Sequence, residues 1–95
     1  MRIRFSPKAR TDLANIWDFS KHEWGEGRAD RYLDGLQDRM IWLTAHPSLW
    51  KPRDDLAKGL FSYPQESHVI FFREIDEGIE IVRILHQRMD VEKRL

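Results

Sequence analysis

Two apolar runs, "SHVIFFREI" (67–75) and "IEIVRILHQ" (79–87), are separated only by Asp76, Glu77 and Gly78. A connection that short leaves two strands one arrangement, an antiparallel hairpin, and the glycine suits the left-handed position of its loop. Upstream the period changes. "RIRF" (2–5) alternates like a short strand, but from Ser6 onward Ala9, Leu13, Ile16, Trp17, Ser20 and Trp24 fall on one helical stripe. Ser6 before Pro7 is a helix start: the hydroxyl accepts an orphan amide, and proline loses no bond at the first helical position. Gly25 and Gly27 in "WGEG" are expected to break this helix and turn the chain back. A second stripe of Ala29, Tyr32, Leu33, Leu36, Met40 and Leu43 predicts a helix from about Arg28 to Ala45, stopped by His46-Pro47.

The short joint makes the helices antiparallel neighbours. Residues 46–59, with two prolines and no sustained period, read as a surface excursion holding at most a turn of helix, and "LFSY" (60–63) as a brief strand. The order is then strand, two helices, three strands. The expected class is α+β: an N-terminal strand and an antiparallel helical hairpin packed on a small, mostly antiparallel sheet, in one domain spanning 1–95.

Lys and Arg number 16 and Asp and Glu 16, a balance unlike that of proteins that bind nucleic acid by neutralising many phosphates. No direct sequence-specific nucleic-acid binding is expected. Nor is membrane association, since no window approaches the ~20 apolar residues of a membrane span; with no signal-like stretch at the N-terminus, the expected location is cytoplasmic. There is no cysteine, and His22, His46, His68 and His86 are scattered without metal-ligand spacing, so neither a thiolate nor a metal site is expected, and no cofactor is implied. The serines lack a nucleophile-elbow context.

Charge is placed oddly at the end of the last strand. Alternation puts Ile79, Ile81, Arg83, Leu85 and Gln87 on one face and Glu80, Val82, Ile84, His86 and Arg88 on the other, so neither face is cleanly polar. Arg83 interrupts an apolar run and needs a carboxylate or an edge, because an unpaired buried guanidinium costs several kcal/mol, ~3–5 when a buried pair is broken. An acid on the neighbouring strand, such as Glu74, is one expected partner; a bound partner protein is the alternative. On the second helix Ile41 and Trp42 flank the main stripe, so its last turn is apolar nearly all round. Either the loop bearing Leu49 and Trp50 folds over it or another chain docks there. Phe19, on the outer side of the first helix, adds to the second expectation.

The ordered set "FSPKARTDLANIWDF", "HPSLWKPRDDLAKGL" and "HVIFFR…IEIVRILHQRMD" resembles ParE toxins of bacterial toxin–antitoxin pairs, over nearly the whole chain. The resemblance implies the fold of the wider RelE/ParE superfamily and a ParD-like antitoxin, a ribbon-helix-helix protein, as partner. It also implies a choice of activity: ParE-like members block DNA gyrase, whereas RelE-like members cut messenger RNA on the ribosome. A RelE-like site needs basic side chains on the sheet and often a C-terminal tyrosine. Here Arg88 matches one basic position, but the strand around Val69 offers no arginine at the matching place and the tail "DVEKRL" has no tyrosine. Tyr63 or His86 would have to substitute. The expectation is therefore a gyrase inhibitor that is not an enzyme; a ribosome-dependent nuclease and an inactive antitoxin-binding relic are the alternatives. The candidate target-binding residues are Arg73, Arg83, His86, Arg88 and Asp90, and the candidate antitoxin-binding residues Phe19, Ile41, Trp42 and Trp50.

Overall fold

The computed structural model describes residues 2–95. Strand β1 (Arg2–Phe5) leads into helices α1 (Pro7–Trp24) and α2 (Glu26–Ala45). A 3-10 turn at Pro47–Leu49 precedes β2 (Lys51–Pro52), β3 (Leu60–Gln65), β4 (His68–Ile75), β5 (Gly78–His86) and a short C-terminal helix, α3 (Val91–Arg94). The five strands form one sheet in the order β1-β5-β4-β3-β2, antiparallel except for β1 beside β5. The α+β expectation holds, with two additions: β2, which pairs Lys51 and Pro52 with Ser62 and Phe61, and α3.

Local chemistry explains where the elements begin and end. The Ser6 hydroxyl accepts from the Ala9 amide at 3.0 Å and donates to the Val82 carbonyl at 2.7 Å, so it caps α1 and ties it to β5. Gly25, at φ 88°, alone makes the joint between the helices: its amide bonds Lys21 O and its carbonyl receives the Ala29 amide. Gly27, expected to share in the break, lies inside α2. Gly78 also differs from expectation. It has no positive φ; it is buried at the start of β5, where a Cβ would stand 1.9 Å from the Arg2 carbonyl oxygen. Close approach of β1 accounts for this glycine, not the turn.

The helices cover one face of the sheet with Ile16, Leu36, Met40 and Leu43 on Ile70, Phe72, Ile79, Ile81 and Ile84. The other face holds a smaller cluster, Leu60, Phe71 and Leu85, overlaid by Leu56 from the loop and Val91 from α3. Simple alternation fails in β5. Phe72 pairs with Ile81 but Phe71 with Arg83, so Val82 is an extra, bulged residue. Beyond it the faces exchange: Ile84 joins Ile79 and Ile81 under the helices, and Leu85 joins Phe71 on the opposite side. Among the described residues the last half of β5 has no strand on its outer edge, since β1 pairs only as far as Ile81 before the chain enters α1.

Candidate functional site

That unpaired edge and the C-terminal half of α1 enclose an open groove of about 530 Å³. Its apolar wall is Ile16 with Phe19, Trp24 and Met89, of which the last three are 61%, 46% and 42% exposed. Its polar wall is the end of the sheet, with Arg83, His86 and His68, and Tyr32 reaching in from α2.

Arg83 is fixed by Asp12 of α1, not by Glu74. Its Nε donates to Oδ2 at 2.8 Å and Nη2 to Oδ1 at 2.9 Å, while the Ile84 amide donates to the same carboxylate at 3.0 Å. Both side chains are largely buried, 14% and 11% exposed, and Asp12 holds the guanidinium pKa still further above its ordinary high value. Arg83 also donates to the carbonyl of Arg94, so one side chain joins α1, the bulged strand and the C-terminus. The ion pair is intramolecular, as one of the two expectations had it, but it runs from sheet to helix.

His68 and His86 are directly cross-strand, their ring centroids 5.3 Å apart in an edge-to-face arrangement. The Tyr32 hydroxyl lies 2.6 Å from His68 Nδ1 and accepts from the Ser67 amide at 3.3 Å. The amide leaves the hydroxyl proton free, so that it can be directed to Nδ1. Burial, reinforced by the neighbouring His86, lowers the His68 pKa from 6.5 to about 4, so the ring is neutral at physiological pH and serves as that acceptor. Burial raises the Tyr32 pKa. The Arg88 amide donates to His86 Nδ1 at 3.1 Å, turning the chain sharply after β5; Arg88 is exposed and stands in the chain between the groove residues His86 and Met89.

The remaining sequence candidates scatter. Asp90 caps α3, accepting from the Glu92 amide at 3.2 Å. Arg73 stands near the opposite end of the hairpin, 3.7 Å from Glu80, which also meets Arg4 at 3.6 Å, and it does not line the groove. Trp50 turns inward: its ring packs on Phe61 and Phe72 and its indole N–H donates to Leu43 O at 2.8 Å, closing the end of α2. Trp42 is half-buried, stacked on His46 and tilted against Tyr63, with the Arg39 guanidinium over it. Ile41 remains 56% exposed on a separate patch. Of the candidate antitoxin contacts, only Phe19 enters the groove, and there it meets Arg83 and His86 from the target-binding set. Among the described residues no group of three or more His, Asp or Glu side chains is placed to hold a metal ion.

Sequence reasoning missed Trp24, Tyr32, His68 and Met89 as groove residues. The hairpin register holds the signal for His68, but only with the bulge known: an unbroken ladder would set it opposite Leu85.

The family described as "ParE toxin of type II toxin-antitoxin system, parDE" matches residues 3–91. The chain belongs to the ParE toxin family. It is 38% identical over 95 residues to "Toxin ParE1" of Mycobacterium tuberculosis, with 99% of this chain and 97% of that protein covered. To "Toxin ParE1" of Caulobacter vibrioides it is 35% identical, covering 97% and 95%. A solved structure, "Chromosomal ParDE TA system from P. aeruginosa", superimposes with a TM-score of 0.77 at 22% identity, over 90% of this chain and 95% of the other. A toxin–antitoxin complex, RelBE2 from Mycobacterium tuberculosis, gives 0.66 at 24%, with the same coverage. These structural likenesses bear on the fold, and they place this ParE family member in the architecture that ParE and RelE toxins share.

Proposed function

We propose that this chain is the toxin of a type II toxin–antitoxin pair and that its antitoxin, a ParD-like protein, lays an apolar segment in the groove between α1 and the end of β5. The observation that carries this reading is the meeting of exposed Phe19, Trp24 and Met89 with Arg83 and His86 in one groove. Large apolar side chains gathered on one concave surface are the mark of a docking site, and an amphipathic segment that orders on contact is the mode such grooves take. Freed of the antitoxin, the toxin presents Arg88, with His86 and Arg83 behind it, to its target. Family membership supports DNA gyrase as that target and the cytoplasm as the place of action. An antitoxin in the groove covers the same sheet end, so neutralisation is occlusion.

Purified wild-type toxin is expected to inhibit gyrase supercoiling. Arg88→Ala should keep the fold and weaken inhibition about ten- to a hundredfold, the loss of charge-assisted contacts worth ~1.5–3 kcal/mol. Phe19→Asp should keep the fold and lose co-purification with the antitoxin. Supercoiling untouched by the wild type well above cellular concentrations would sink the gyrase assignment; a retained complex in Phe19→Asp would move the antitoxin elsewhere, to the Ile41 patch first.

A second reading, ribosome-dependent RNA cleavage, is favoured by one observation: the groove holds a neutral imidazole, His68, beside a second one, His86. Two imidazoles at a basic strand end suit proton transfer to and from a phosphodiester. Programmed ribosomes cut by wild type but not by His86→Ala would favour it over gyrase inhibition.

A further inference from the structure

Beside the groove lies a second hollow of about 430 Å³, floored by Gly35 and walled by Arg28, Arg31, Gln65 and Glu66. Trp24, Tyr32 and Ser67 border both cavities, so the two form one continuous track around the N-terminal end of α2. The character of the walls changes along it. Where the groove is apolar, the hollow presents two guanidinium groups.

Among the described residues those groups have no carboxylate partner. Arg28 lies over the Trp24 ring, 4.7 Å from its centroid, and among the described residues neither Arg28 nor Arg31 forms a salt bridge. Glu26 pairs instead with Lys21 at 3.5 Å, and Asp30 takes the indole of Trp17 at 2.9 Å. Among the described residues Glu66 is the one carboxylate that borders the hollow, against two arginines. Arg28 moreover stands near the start of α2, where the helix dipole disfavours a cation.

Gly35 adds an independent observation. Glycine inside a helix is less stable than alanine. The fold does not require it, since a Cβ at this position would meet only Gln65 Nε2 at 3.7 Å, an ordinary contact. What the missing side chain leaves is an open floor, over which another main chain can pass closely.

We propose that the hollow receives an acidic stretch of the same antitoxin segment whose apolar side chains fill the groove, with its carboxylates on Arg28 and Arg31 and its main chain against Gly35. This rests on the groove being the antitoxin's dock and names the chemistry of the occupant: a cluster of apolar residues joined to a short acidic run. Arginine forks pair with carboxylates bidentately, and charges at the rim fix register and partner choice.

The test is selection from a random peptide display library on immobilised wild-type toxin, on Arg28→Glu/Arg31→Glu and on Phe19→Asp, each variant first shown to melt like the wild type. Peptides enriched on the wild type should join apolar residues to an acidic run, and should bind the charge-reversed toxin about tenfold or more weakly. Selection on the charge-reversed toxin should turn the acidic run basic. Gly35→Leu should weaken the wild-type peptides without altering the charge selected. Wild-type peptides with no acidic excess, or indifferent to the charge reversal, overturn the proposal. If such peptides still need Phe19, the docking reading survives alone. No enrichment, or binding that ignores Phe19→Asp, overturns both.

Discussion

Tyr32 and His68 show what burial does to single groups at this sheet end. His68 is held neutral because its ring is partly withdrawn from water and faces a second imidazole; Asp12 acts weakly in the other direction. The linkage has a definite sign. With a folded-state pKa of about 4 against an ordinary 6.5, the unfolded chain takes up a proton in this window that the folded chain does not. Stability from this group is therefore complete above about pH 6.5 and is lost as pH falls towards 4. Thermal melts between pH 7 and pH 4 should fall more steeply for the wild type than for His68→Gln, whose amide can keep the bond to Tyr32 but does not titrate. Parallel curves for the two would mean that His68 takes up its proton as readily in the folded chain as in the unfolded one, and that burial does not hold it neutral.

Among the elements, β5 is the one on which the others depend, and two departures from regularity define it. At its start Gly78 admits β1; at its middle the Val82 bulge exchanges the faces and is held by the Ser6 hydroxyl. Gly78→Ala should prise β1 away, because the clash is with backbone that no side-chain rotation relieves. A loss of about 1–3 kcal/mol is expected, the cost of overpacking, read as a lowered melting midpoint and faster amide exchange in residues 2–5. A stable Gly78→Ala with β1 protected would show that the strand shifts at little cost. Much of this architecture was legible beforehand: the Ser6-Pro7 start, the helical stripes, the Gly25 joint and the β4–β5 hairpin are set by neighbours in the chain. The rest was not, for one physical reason. Gly78 answers to Arg2, Val82 to Ser6 and Arg83 to Asp12, pairs that share no local period. Once the bulge shifts the register by one residue, His68 comes opposite His86 instead of Leu85, and the groove's polar wall follows. Trp50 folds back on the end of α2, as one of the two expectations had it, but its carbonyl partner at Leu43 was not legible, since it is fixed by how the 3-10 turn folds back.

At the scale of the whole molecule, 16 basic and 16 acidic side chains balance on a body of 37 × 29 × 22 Å. Affinity for DNA that ignores sequence comes from releasing counterions as cationic side chains meet phosphates, and it needs a surplus of such contacts on one surface. Here the sheet-end cations are diluted: Arg83 is neutralised by Asp12, which leaves Arg88 and the groove-lining Arg94 as the exposed guanidinium groups at that end. A toxin built this way is expected to poison gyrase through the enzyme rather than by coating its substrate. In a supercoiling assay at fixed gyrase, the toxin concentration for half inhibition should then stay constant as plasmid DNA is raised severalfold. It should also shift little with salt over the range in which gyrase remains active, since few counterions are released. A half-inhibitory concentration rising in proportion to DNA would mean that the toxin is being titrated by phosphates. The target-binding role given to Arg88 would then pass to nucleic acid, and a protein contact on gyrase would no longer be needed.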